Sequence, residues 1–179
     1  IATIDAKRIT LGNGTGAASA ELGTGSADLA LSADTLTLAG GNYAWSGFGT
    51  VRLTARDALV DSGTAAIDAH SDLVVSAPVW TARAGANTTL NLAGHSLTTL
   101  AGAAASTQDA LGARLTLNAG SITHAGRIEM AAGVVKLNAD ADLNVSGSID
   151  TSGRDVDLAG NHIYTGGGSI ALHAAGGNL

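Results

Sequence analysis

The sequence predicts an all-β chain wound as a parallel β-helix with coils of about 21 residues. Three observations predict it. An apolar–any–apolar triplet recurs along the chain, a small residue follows each triplet at a fixed distance, and Gly, Asn, Ser and Asp separate the short strand patterns. Self-similarity at such a period marks a repeat architecture, in which one unit cannot bury its apolar face alone and stacked units can.

The triplet reads Ile9-Thr10-Leu11, Leu29-Ala30-Leu31, Val51-Arg52-Leu53 and Leu73-Val74-Val75. It continues as Leu90-Asn91-Leu92, Leu115-Thr116-Leu117, Val135-Lys136-Leu137 and Val156-Asp157-Leu158. Successive starts are 20, 22, 22, 17, 25, 20 and 21 residues apart, a mean of 21. The short and long steps are adjacent and together span two periods. The coil start near Leu90 therefore stays open, with Leu97 as the other candidate. Residues two apart on a strand face the same way, so the alternation is a strand signal with Leu117, Leu137 and Leu158 stacked inside. On this register Lys136 and Asp157 face outward one coil apart. Asn118 and Asn138 are neighbours and can form an amide ladder.

Two residues after each triplet come Asn13, Ala33, Ala55, Ala77, Gly94, Ala119, Ala139 and Gly160. Seven of these eight are Ala or Gly, which suits a tight corner. A second apolar register follows at Leu36, Ala58, Trp80, Leu97, Ile122 and Ile163, slipping by one to Leu143 in the coil from Val135. A third appears at Leu22, Trp45, Ile67, Ile128, Ile149 and Ile170. Three short strands per turn describe a β-helix. A β-sandwich also has short alternating strands, but it does not predict this period. Helical periodicity is missing almost everywhere. The stretch 101–113 (AGAAASTQDALGA) is the exception and is expected to form a protruding loop.

Composition narrows the function. With 179 residues the chain is one β-helix segment, 1–179. It starts at Ile1 and is read as a fragment of a larger protein, with no polar cap at either end, so it is expected to stack end to end. Net charge is -6 and the nine basic residues are scattered, which argues against nucleic acid as a partner. No apolar run reaches the roughly 18 residues that cross a bilayer. Zero cysteine excludes disulfides and thiolate metal sites.

The stretch LTLNAGSITHAGRIEMAAGVVKLNADADLNVSGSIDTSG, from Leu115 to Gly153, resembles the repeats of filamentous haemagglutinin-like exoproteins. The wording LTLNAG followed by AGRI and VKLNA carries the resemblance. It implies a right-handed parallel β-helix and export through an outer-membrane transporter. It also implies a secreted or cell-surface location in a Gram-negative bacterium, with a role in adhesion, biofilm or contact-dependent competition. The NPNG and NPNL motifs of the family's secretion domain do not occur, so the resemblance is to shaft. A cysteine-free chain suits passage through the periplasm.

The sequence is therefore read as a structural and adhesive shaft without catalytic residues, metal or cofactor, whose partners would be a surface receptor or a glycan. The alternative is a carbohydrate-active β-helix, a polysaccharide lyase or hydrolase, or a glycan-binding module. Asp140, Asp142, Asp150, Asp155 and Asp157 crowd the C-terminal third. Paired carboxylates can hydrolyse a glycosidic bond, but Asp also caps turns, and the turn reading is favoured. An enzyme would show a groove lined by two carboxylates plus Arg or Lys. The five histidines, His70, His95, His124, His162 and His173, form no HExxH motif. The segment NYAWSGFG holds Tyr43, Trp45 and Phe48, three of five aromatics. These could stack on sugar rings, although filling the core is the simpler role.

Overall fold

A computed structural model describes residues 1–14, 23, 25–92, 94–102 and 110–179. Eighteen strands, β1 to β18 in chain order, occur among them and no helix. They wind as a parallel β-solenoid of about six turns, about 23 residues apart. The cross-section has three faces.

The first face is built from residues 2–6 of β1 (Ala2–Leu11), 29–33 of β2 (Ala27–Leu38) and 50–54 of β4 (Phe48–Asp61). Above them stack β6 (Asp72–Ala77), β9 (Ser96–Ala101), β11 (Ser121–His124) and β14 (Leu143–Val145). The second face takes residues 8–11, 35–38 and 58–61 of the same long strands, then β7 (Trp80–Ala82), β12 (Arg127–Glu129) and β15 (Ser148–Asp150). The third face comprises β3 (Gly41–Trp45), β5 (Thr64–Ala69), β8 (Asn87–Asn91), β10 (Arg114–Ala119), β13 (Val134–Ala139) and β18 (Ser169–Ala174). Inward side chains of all three faces meet in one core of Leu, Val, Ile and Ala. The small residues sit at its corners: Ala33, Ala55, Ala77, Ala119 and Ala139 are all buried.

The triplets turn out to be spread over all three faces, Ile9 and Leu11 lying on the second beside Leu36 and Leu38. Leu29, Val51 and Leu73 stack on the first, and this column continues through Leu97, Ile122 and Leu143. Leu97, not Leu90, therefore carries it on. Leu90 lies in a third-face column with Tyr43, Ile67, Leu117 and Leu137. The alternation is the same on every face, so only closure of the coil tells them apart. A register shift between Ala33 and Thr35 likewise aligns Leu36 with Leu59 instead of Ala58.

The C-terminal register differs as well. Leu137 stacks under Leu172 and Lys136 under Ala171; neither Leu158 nor Asp157 occupies those places. Residues 155–158 instead form β16 (Asp155–Leu158), which pairs antiparallel with β17 (Asn161–Tyr164). Ala159 and Gly160 connect them with φ of 53° and 86°. Two positive-φ residues in a two-residue loop form the turn whose twist matches a hairpin. Local closure thus wins over continuation of the coil.

The expected amide ladder is present and longer than two rungs. Asn138 Nδ2 donates to Asn118 Oδ1 at 2.8 Å, and Asn118 Nδ2 to Asn91 Oδ1 at 2.6 Å. Asn91 Nδ2 in turn donates to Asp68 Oδ1 at 2.9 Å. Leu22 of the third register and residues 103–109 of the expected loop 101–113 lie outside the described residues. Ile128 stacks directly on Trp80, so the coil of β8 and β9 adds no second-face strand between them among the described residues.

Candidate ligand cavity beside the hairpin

On the second face β12 reads Arg127-Ile128-Glu129. Ile128 points into the core, which sends its two charged neighbours outward. Strand β15 stacks on it in register, with Ile149 over Ile128 and Asp150 over Glu129. In-register residues of parallel strands face the same way at a strand spacing of about 4.8 Å. Two carboxylates are therefore neighbours on one face.

Each is compensated differently. Arg127 donates to Glu129 Oε1 from the same strand. Glu129 is only 4% exposed, and its Oε2 has no hydrogen-bond partner. A buried carboxylate oxygen left unpaired is costly. Asp150 Oδ1 accepts the Ser152 backbone N–H at 2.8 Å. The hydroxyl and N–H of Ser152 hold the Asp150 carboxyl below its usual range, helped by the charges of Arg154 and Arg127. Glu129, Asp150, Ser152, Gly153 and Arg154 line a cavity of about 300 Å³, with Ala131 as the small remaining wall.

The hairpin leaves the rod from this wall. The Arg154 N–H donates to Thr165 Oγ1 at 2.7 Å, and the Thr165 N–H donates to the Arg154 carbonyl at 2.9 Å. Gly153 must be glycine here, because a Cβ would lie 2.0 Å from the Thr165 carbonyl oxygen. Tyr164 is opposite Asp155 and 76% exposed. Its ring stacks with His162, centroids 6.5 Å apart and planes at 20°. The His162 Nδ1 sits 2.8 Å from Asp155 Oδ2.

The carboxylates singled out in the sequence divide. Asp150 lines the cavity, while Asp157 accepts the Gly160 N–H and so closes the hairpin turn. Asp142 accepts the Asn178 N–H, and Asp155 pairs with His162. Tyr43, Trp45 and Phe48 pack against the core; Trp45 is 8% exposed. The Tyr43 hydroxyl donates to the Leu11 carbonyl, and burial raises its pKa far above the usual value. His124 sits inside the rod between Thr99 Oγ1, 2.6 Å from Nδ1, and the Ser148 carbonyl oxygen, 3.1 Å from Nε2. Burial lowers its pKa. Among the described residues no three metal-ligating side chains converge.

Glu129, Arg127 and a buried acid, Asp61, were not among the residues that sequence reasoning selected. Asp61 is fully buried, accepts Trp80 Nε1–H at 3.1 Å, and is pushed up to about 7 by desolvation. No protein-family model matches the chain, and no curated protein or solved structure does.

Proposed function

We propose that this chain is a rod segment of a larger secreted or cell-surface exoprotein of the filamentous haemagglutinin-like kind. Its parent would cross the outer membrane of a Gram-negative bacterium through a partner transporter and serve adhesion. One observation carries the rod reading: the apolar column is open at both ends. Ile4 in the first coil is 52% exposed, and Ile170 and Leu172 in the last are 45% and 37% exposed. The residues stacked directly on them one coil further in, Leu31, Val135 and Leu137, are buried. In a solenoid each coil completes the burial of its neighbours, so these surfaces call for further coils. The repeat wording from Leu115 to Gly153 supports the family reading.

Sedimentation and hydrogen exchange test the rod. The isolated chain should associate end to end with rising concentration. Its first and last coils should exchange fast and its middle coils slowly. A strictly monomeric chain with equal protection throughout would falsify the segment reading.

A carbohydrate-active enzyme is the second reading, because the cavity brings two carboxylates together with Arg154. On the rod reading neither carboxylate acts on a glycosidic bond, and the partners of Asp150, which favour its ionised form, suit it at most to the base or nucleophile of such a pair. We therefore expect no release of unsaturated or reducing-end oligosaccharide from pectin or glycosaminoglycan. Release that disappears in Asp150→Asn would establish the enzyme instead.

A further inference from the structure

We infer that the groove on the second face between Arg8 and Arg83 is a binding site for a short linear polyphosphate. The inference goes beyond the rod and does not depend on what the parent protein is.

The groove follows from the stacking of four coils. Ile9 and Leu11 of β1 pack against the core, which sends Arg8 and Thr10 outward. On β2, Thr35 lies over Arg8 and Thr37 over Thr10, and Val60 of β4 follows Thr37. The stack continues round the corner. There the Ala39 N–H donates to the Leu11 carbonyl at 2.6 Å, the Ser62 N–H to the Leu38 carbonyl at 2.8 Å, and the Arg83 N–H to the Asp61 carbonyl at 2.8 Å. These residues enclose a groove of about 500 Å³, with Arg8 contributed by the first of the four coils and Arg83 by the last.

Charge is the first feature that defines the ligand. Among the described residues the walls carry two guanidinium groups, no carboxylate and no aromatic ring, in a chain whose net charge is -6. Arg56 is held by Asp5 and Asp34, and Arg127 by Glu129. The side chains of Arg8 and Arg83 have no such partner. Asp61 lies between Val60 and Ser62 in the chain, but it turns inward to Trp80 and does not line the groove. A guanidinium without a carboxylate presents a forked donor that matches phosphate oxygens.

Length and floor are the second. Strands spaced about 4.8 Å place the two arginine backbones roughly 14 Å apart along the axis. A single phosphate is therefore served by one arginine at a time, whereas a linear polyphosphate carries charge on every unit and meets both. Between the arginines the floor is Thr10, Thr35, Thr37 and Ser62. Their hydroxyls donate to anionic oxygens and accept from a P–OH group, a proton that a sulfate ester lacks. Val60 and Ala39 are the apolar walls, and without an aromatic ring nothing there stacks on a nucleobase.

The test titrates the 179-residue chain with inorganic tripolyphosphate, followed by calorimetry and phosphorus NMR. Salt is held near physiological strength, about 0.15 M, so that distant charges are screened. Tripolyphosphate should bind more tightly than pyrophosphate, and orthophosphate most weakly. Arg8→Gln and Arg83→Gln should each weaken binding about tenfold, the loss of one charge-assisted contact. The double variant should not bind. Thr35→Val should weaken binding without changing the charge. Arg52→Gln, at an exposed position on the first face, is the control for net charge and should bind as the parent chain does. Arg8 and Arg83 are exposed and Thr35 is half-buried, so circular dichroism should stay that of the parent chain. Orthophosphate binding as tightly as tripolyphosphate, a loss in Arg52→Gln equal to that in Arg8→Gln, or binding indifferent to both Arg8→Gln and Arg83→Gln would each overturn the inference. So would tighter binding of a sulfated polymer or of polyaspartate, or no binding at millimolar tripolyphosphate.

Discussion

Two ionisable residues inside the rod make its stability depend on pH, and in opposite senses. Asp61 is fully buried, with one oxygen on Trp80 and the Thr88 hydroxyl beside it. Its carboxyl titrates near 7 in the folded chain against 3.8 for the free group. Between those values the folded state holds a proton that the unfolded state has lost. Stability therefore falls as pH rises from about 4 to about 7, and the penalty is complete above 7. A difference of that size corresponds to about 4 kcal/mol. Asp61→Asn should remove most of this slope, so its denaturation midpoint should exceed that of the parent at pH 8 and approach it at pH 4. Equal midpoint differences at both pH values would show that Asp61 does not titrate in this window. His124 acts the other way. Burial lowers its pKa, so the stability that its neutral ring contributes is present above 6.5 and is lost as pH falls through the lowered value. Its neutral ring is well placed, accepting from Thr99 and donating to Ser148.

At the scale of the element, the strands were legible and their neighbours were less so. Alternation marks a strand wherever it lies, which is why Leu115 and Leu117 could be matched correctly with Val135 and Leu137 on the next coil. The same alternation made Val156-Asp157-Leu158 look like one more coil. Its fate was decided by Ala159-Gly160, where two positive φ values close a hairpin before the coil can continue. Asn118 and Asn138 were legible as neighbours because they share a face and a phase on successive coils. The cavity was only half legible. Ile128 and Ile149 were recognised as inward, and the residue after each of them, Glu129 and Asp150, makes the site. What no pattern shows is that Glu129 is buried although it faces outward, since that depends on what packs around it. The hairpin itself can be tuned. A left-handed alanine costs on the order of 1 kcal/mol more than a left-handed glycine. Ala159→Gly should therefore slow limited proteolysis between residues 155 and 164 and leave the melting of the rod unchanged. Faster cleavage in that variant would contradict the turn geometry.

The whole molecule is held by neighbours in the stack more than by any one coil, and its end coils are correspondingly its weakest. The amide ladder gives this stack a sense of direction. Asp68 can only accept, so it obliges Asn91 to turn its NH₂ toward it. Asn118 must then donate to Asn91, and Asn138 to Asn118. One carboxylate thus fixes the orientation of every amide above it, like the first domino in a row. The Asn138 oxygen faces the next position of the column, which His173 occupies. The rod carries an arrow along its axis, written in hydrogen bonds, and a fourth amide placed in line would know which way to face.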